Sequence, residues 1–296
     1  MPESPISRPD GNSLSINRLA PGVFYHQAAQ AEENPTNRGD IGNVSFVIGD
    51  RCVAVIDTGG SPVVGQRLLA AIRAKSTLPI CYVINTHMHP DHVFGNRAFV
   101  DTKAVFVAGT RFPRALTARA RTYLDRMNEI LDQKADKSWI VLPDRTVNAD
   151  TTLELGGRTL RIKAWPPAHT DNDLTVYDSR SQTLWLGDLL FVDRVPSIDA
   201  SITGWIEALE HLKTRDDIAH AVPGHGPASD DWPAVLNKEY DYLVDIRDGV
   251  QQMLDDGRSL RYATRHVAMD QKSDWLLFDS YHARNVTAAF TELEWQ

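Results

Sequence analysis

Asn85-Thr86-His87-Met88-His89-Pro90-Asp91-His92 places four side chains of metal-ligand type within six consecutive residues. The segment follows Ile80-Cys81-Tyr82-Val83-Ile84, a β-branched apolar run that reads as a buried strand. His87 and His89 are two apart, so in an extended segment both point the same way. Pro90 suits the first turn of a helix, which swings Asp91 and His92 toward neighbouring space. Two imidazoles, a carboxylate and a third imidazole in so short a peptide serve no packing purpose. They read as half of a metal site.

Three later positions offer the other half. Pro166-Pro167-Ala168-His169 follows a strand ending near Ala164, Leu186-Gly187-Asp188-Leu189 follows Thr183 to Trp185, and Pro223-Gly224-His225-Gly226 follows Ile218 to Val222. Each puts one ligand-type residue where a strand gives way to a turn marked by Pro or Gly, the usual place for site residues on a rigid scaffold. Taken singly, His169 or His225 would be an ordinary loop histidine, and Asp188 a turn residue. Together the seven give five imidazoles and two carboxylates, enough for two metals with Asp188 bridging. Nitrogen and oxygen ligands without thiolate suit Zn²⁺, and Fe, Mn or Ni can be accommodated. His26, His211, His220, His266 and His282 fall outside the pattern and read as hydrogen-bonded structural histidines.

The elements around these positions alternate. Leu19 to Tyr25 reads as a strand broken by a turn, and Asn43–Gly49 and Cys52–Asp57 as strands of a hairpin. Pro62 opens a helix with Val63, Leu68, Leu69 and Ile72 on one side. A strand at Ala104–Ala108 precedes a helical tract from about Pro113 to Ala135. Its arginines Arg111, Arg114, Arg119, Arg121 and Arg126 form either a solvated face, with pairs such as Arg121 and Asp125 at i,i+4, or a rim that attracts anions. The second half repeats the grammar. Strands at 151–155, 158–164, 174–177, 183–186 and 218–222 are interleaved with helices at 205–212, 232–254 and 283–293. No linker divides the chain, which predicts two facing sheets with helices outside, an α/β (α+β) sandwich of αββα layers, as one domain over 1–296. Residues 1–18 are expected to be an extended tail and 230–296 a C-terminal helical part.

Composition narrows the function classes. The chain has 296 residues, 42% hydrophobic and 24% charged, with a formal net charge of −8. That balance argues against a bulk electrostatic grip on nucleic acid or on an anionic membrane. No apolar run reaches spanning length, so membrane insertion is not expected. Residues 1–17 lack the apolar core of a signal peptide; the expectation is a soluble protein, periplasmic if an export signal has been removed and cytoplasmic otherwise. The two cysteines, Cys52 and Cys81, each lie in a strand and read as buried thiols, because a bridge would require those strands to be neighbours in suitable register.

The order H-x-H-x-D-H, then a distant His, a distant Asp and a last His, resembles the metallo-β-lactamase-fold hydrolases, and the resemblance covers most of the chain from Leu19 to His225. It implies a four-layer αββα fold in which His87, His89 and His169 bind one metal and Asp91, His92 and His225 the other, with Asp188 bridging. Asp57 ends a strand in a turn the family shares and is expected to support the ligands without being one. The implied chemistry is hydrolysis by a hydroxide held between two Zn²⁺ ions roughly 3.5–4 Å apart. The target is a small ester, thioester, lactone or amide, and Asp91 returns a proton to the leaving group. Lactamases proper typically have Cys or Ser at the Asp188 position, which lowers the expectation of β-lactamase activity without excluding it; such activity, as main or side reaction, is a further alternative. A mononuclear iron dioxygenase of the persulfide type shares the motif and is the alternative from another reaction class.

The tract from Gly187-Asp188-Leu189-Leu190-Phe191 through Arg194-Val195-Pro196-Ser197-Ile198-Asp199 to Gly204-Trp205 is similar to a subgroup of these hydrolases linked to pyrroloquinoline-quinone oxidation systems, commonly exported. Arg194, Ser197 and Asp199 are the substrate-contact candidates. Asp199 or Ser201 can instead cap the helix that follows.

Overall fold

A computed structural model describes residues 14–131 and 134–295. Strand alternation assigns side chains to layers. In β4 (Val53–Ile56), Val53 and Val55 face a helix layer while Ala54 and Ile56 face the second sheet. Seven strands make the first sheet in sequence order: β1 (Asn17–Ala20), β2 (Val23–His26), β3 (Val44–Ile48), β4, β5 (Ile80–Ile84), β6 (Val105–Gly109) and β7 (Arg145–Val147). Pairing is antiparallel from β1 to β4 and parallel from β4 to β7.

Five strands make the second sheet: β8 (Thr151–Glu154), β9 (Thr159–Ala164), β10 (Leu174–Asp178), β11 (Thr183–Phe191) and β12 (His220–His225), in the order β12-β11-β10-β9-β8. Between the sheets, Val47, Ile56, Ile84 and Val107 meet Ile162, Val176, Trp185 and Val222. Buried Arg158 also ties the sheets together. It pairs with Asp178 at 3.0 Å and donates to the carbonyls of Ile48 and Pro21, each at 3.0 Å.

α1 (Pro62–Lys75) covers the outer face of the first sheet with Val64, Leu68 and Ile72. It starts where Ser61 Oγ accepts from Val64 N–H and Pro62 fills the first turn, and it ends with Arg73 and Lys75 in the last turn. α4 (Ile202–Lys213), α5 (Asn237–Asp255) and α7 (Phe278–Leu293) cover the second sheet. The layers are therefore αββα. Short α2 (Pro90–Val93), a 3₁₀ helix over 94–102 and α3 (Phe112–Ile130) lie between β5 and β7, and α6 (Leu260–His266) joins α5 to α7.

Several boundaries differ from the sequence reading. β11 runs on to Phe191, so Asp188 lies inside a strand and not beyond one. α4 and α7 begin earlier than expected, and α3 ends at Ile130; residues 132–133 of the expected tract lie outside the described residues. Of the expected tail, 1–13 lie outside the described residues, while Asn17 and Arg18 already pair with Tyr25 and Phe24.

The expectation of two free thiols is overturned: Cys52 and Cys81 form a disulfide, with Cα atoms 5.7 Å apart. Parallel β4 and β5 are neighbours, and the register passes from Val53 opposite Ile80 to Ala54 opposite Tyr82. Cys81 is the extra residue of that bulge, beside Cys52. The closed loop spans a sequence separation of 29. In the chain-entropy description such a loop stabilises by roughly 3–4 kcal/mol. Replacing both cysteines by serine should lower the urea-unfolding free energy by about 3 kcal/mol; an unchanged midpoint would show that the bridge contributes nothing.

Candidate metal centre

The loop after β5 carries His87 and His89, and the N-terminus of α2 carries Asp91 and His92. His169 lies between β9 and β10, Asp188 on β11, and His225 ends β12. The fold brings these seven together. Ligand atoms of His87, His89, His169 and Asp188 form one group and those of Asp91, His92 and His225 another, each within 4.8 Å. Asp188 joins them: Oδ2 lies 3.6 Å from His87 Nε2 and 3.4 Å from the Nε2 atoms of His169 and His225, while Oδ1 lies 3.1 Å from His92 Nε2. Asp91 Oδ2 is 3.2 Å from His225 Nε2.

Hydrogen bonds on the far side of each ring fix which nitrogen faces the centre. Asp57 accepts from Thr86 N–H (2.8 Å), Thr86 Oγ1–H (2.7 Å) and His92 Nδ1–H (3.0 Å). With its hydrogen committed to Asp57, Thr86 Oγ1 accepts from His87 Nδ1–H at 3.0 Å. His169 Nδ1–H donates to Ser197 O (2.6 Å) and His225 Nδ1–H to Ile41 O (2.7 Å). These four rings turn Nε2 inward. His89 is reversed: its Nδ1 faces His169 Nε2 at 2.9 Å, and its Nε2 is 3.4 Å from Asp199 Oδ2.

His87 Nε2, His92 Nε2 and Asp188 Oδ1 are buried and lack hydrogen-bond partners among the described residues. Buried polar atoms without partners are costly, and a cation among these lone pairs satisfies all of them. The electrostatics agree. Burial pushes His169 down to about 4 and His87 well below its usual range, keeping both rings neutral. Burial opposes charge on Asp91 and Asp188 too, yet His92 and His225 hold both carboxyls well below the carboxylate range. Burial also opposes charge on His92, and the Asp188 and Asp91 carboxylates outweigh it, raising that imidazole well above its ordinary value. The centre attracts positive charge. The arrangement fits metal ions.

A cavity of about 210 Å³ opens onto it, lined by His89, Asp91, Tyr123, His169, Asp188 and Arg194 among others. A larger groove of about 600 Å³, beside His211 and Arg215 on β8–β10, contains none of the seven. The small cavity is the one at the chemistry.

The three substrate-contact candidates diverge. Arg194 and Ser197 line the cavity, and Ser197 also holds His169 through its carbonyl. Asp199 does not line the cavity; it pairs with Arg119 at 3.0 Å and lies 3.4 Å from His89. Ser201, not Asp199, caps α4, accepting from Gly204 N–H at 3.0 Å. Of the α3 arginines, Arg126 lines the cavity and Arg119 pairs with Asp199, while Arg121 pairs with Asp125 on the exposed face. The five other histidines each take a hydrogen bond away from the centre.

A model of the metallo-beta-lactamase superfamily matches residues 37–225, a stretch that contains all seven clustered residues. The chain belongs to the metallo-beta-lactamase superfamily. A hydroxyacylglutathione hydrolase of Synechococcus sp. (strain JA-2-3B'a(2-13)) is 30% identical over 140 residues, 47% of this chain and 44% of that protein. The alignments span between 10% and 61% of the length of the curated relatives matched. Among solved structures, a metallo-beta-lactamase from Pontibacter korlensis superposes with a TM-score of 0.64 at 21% identity, over 79% of this chain and 100% of that one. A stereoselective inverting sec-alkylsulfatase from Pseudomonas sp. superposes with 0.74 at 14% identity, over 94% of this chain and 50% of that one. At these identities the likeness is one of fold.

Beyond the residues matched to the superfamily, Glu239 on α5 was not singled out by sequence. It is buried, and Oε1 accepts from Phe191 N–H at 2.9 Å. The Phe191 ring stacks on His225 at 4.9 Å and touches His169 at 5.7 Å, so Glu239 anchors a wedge between two candidate ligands. Burial raises its carboxyl well above the ordinary 4.5. A raised acid contributes stability that is full below its unfolded value and lost as pH rises toward its folded one. Glu239→Gln keeps the acceptor for Phe191 without that dependence. Its stability should therefore gain on the wild type as pH rises above 4.5 and match it near pH 4; a difference independent of pH in urea unfolding would contradict the neutral acid.

Proposed function

We propose that the chain is a dinuclear zinc-dependent hydrolase of a small carbonyl-type substrate: an ester, thioester, lactone or amide. The observation that carries this is the Asp188 carboxylate, set between two groups of ligand atoms and within 3.6 Å of four imidazole nitrogens. His87, His89 and His169 would hold one ion, Asp91, His92 and His225 the other, and Asp188 both. The donor set is nitrogen and oxygen without thiolate, which suits zinc, with iron, manganese or nickel as the alternatives. Bound there, a zinc pair supplies a water that ionises near neutral pH and an electrophilic grip on the substrate's carbonyl oxygen.

The protein's own groups do the rest. Asp57, Ile41 O and Ser197 O hold four rings in one tautomer, so no reorganisation is needed when the substrate arrives. Asp91 lines the cavity, where its carboxylate accepts a proton and returns it to the leaving group. Arg194 meets the substrate directly, whereas Ser197 and Asp199 act through His169 and His89. A cavity of about 210 Å³ favours a small molecule, and the net charge of −8 disfavours nucleic acid. No helix among the described residues is long and apolar enough to cross a membrane. The Cys52–Cys81 bridge supports an oxidising compartment, such as the periplasm.

Asp188→Ala and His92→Ala should each lower hydrolysis of a panel of esters, thioesters, lactones and β-lactams by about 100-fold or more, the upper end of what even outer-sphere partners cost. Both should also lower metal content while leaving the circular dichroism spectrum intact. Full activity in either variant would sink the two-metal assignment.

A further inference from the structure

We propose that the cavity carries an anion subsite, with Arg194 as its anchor and Arg284 at its mouth, so that the substrate bears a carboxylate or tetrahedral oxyanion away from the bond that is cut. This names the substrate class of the hydrolase site proposed above and rests on that reading.

Arg194 is buried, 4% exposed, and lines the cavity. Among the described residues no carboxylate lies within ion-pair distance of it. Its Nη2 donates to Tyr281 Oη at 3.0 Å, and Tyr281 Oη in turn donates to Glu32 Oε2 at 3.0 Å. Burial raises the Tyr281 hydroxyl above its usual range, so it stays a neutral partner and not a phenolate counter-charge. Nη1 lies 3.1 Å from His225 Nδ1, but that nitrogen already gives its hydrogen to Ile41 O and has no lone pair to offer. Nε has no hydrogen-bond partner among the described residues. A buried guanidinium with two of its three nitrogens unsatisfied is costly unless an anion completes it.

The other charges on the cavity wall do not fill the role. Glu33 pairs with Arg126 at 2.9 Å, and Asp91 and Asp188 face imidazoles. Arg284, exposed on α7, also lines the cavity and has no carboxylate partner among the described residues; it lies over the Tyr281 ring at 5.7 Å. The charge left over is positive, beside a centre that would itself hold two cations. An anionic substrate group balances it and a neutral one does not. Glu32, Glu33, Tyr281 and Arg284 all lie outside the stretch matched to the superfamily, while Arg194 lies inside it.

Two measurements on zinc-loaded protein test this. In the first, sulfate and succinate are titrated at ionic strength matched with chloride, and the melting temperature is read. The wild type should show a saturable rise, lost in Arg194→Gln and weakened in Arg284→Gln. Whichever anion acts at lower concentration identifies the preferred geometry. In the second, two thioesters differ only in a terminal carboxylate or carboxamide, and the ratio of their kcat/KM values is compared. That preference for the anion should fall by about 10- to 100-fold in Arg194→Gln, the range for a charged hydrogen bond. Should Arg194→Gln not fold, Arg284→Gln, at an exposed position, carries both comparisons with a smaller change expected. An anion response equal in wild type and variants, or hydrolysis with no preference between the two thioesters, overturns the subsite while leaving the hydrolase standing. An Arg194-dependent anion response without hydrolysis of any substrate supports the subsite and overturns the hydrolase.

Discussion

The Asp188 carboxylate, buried within 3.6 Å of four imidazole nitrogens, is the contact on which the site depends. Burying a charge in a protein interior costs several kcal/mol unless partners compensate it. The strands around it are shaped to hold that carboxylate. Gly187, at φ +53°, sits at a register shift between β11 and β12 beside Asp188, which faces the imidazoles of the candidate site. A Cβ on Gly224 would lie 1.9 Å from Asp188 Oδ1, so only glycine lets β12 pass so close. The Pro223-Gly224-His225 end of β12 thus makes room for one candidate ligand and delivers the next.

Around this contact the scaffold works by orientation. Backbone carbonyls of Ile41 and Ser197 take the outer protons of His225 and His169, and Asp57 does the same for His92. These acceptors come from loops far apart in the chain, brought to the same ends of both sheets by parallel β4–β5 and β11–β12 pairing. Candidate ligands at the carboxyl ends of parallel strands need no dedicated domain. They need strands of the right length and loops that close over them. The Cys52–Cys81 bridge ties β4 to β5 near the opposite ends of the strands that lead to Asp57 and His87.

Much of this was legible in the sequence because its cues are local. His87 to His92 announce themselves within six residues, and His169 and His225 each carry a Pro or Gly marker near a strand end, whereas Gly187 before Asp188 marks a register shift inside β11 and not its end. Alternation in β4 and the helical period of α1 name their layers directly. The missing pieces have no such cue. β7 is three residues long with one buried side chain, and α6 buries only Ala263, so neither shows a period. The disulfide required knowing both that β4 adjoins β5 and that a bulge adds Cys81. Glu239, Tyr281 and Arg284 lie on helices whose period reveals a buried face but not which cavity it meets. Asp199 has the look of a helix cap, and only the folded position of Arg119 and His89 shows otherwise.

The most direct test is the metal content of purified, zinc-supplied protein, measured by inductively coupled plasma mass spectrometry alongside oxygen consumption. Two ligand groups sharing Asp188 predict two zinc ions per chain and no oxygen uptake. One iron per chain with oxygen consumed, or no metal retained, would contradict the two-zinc centre.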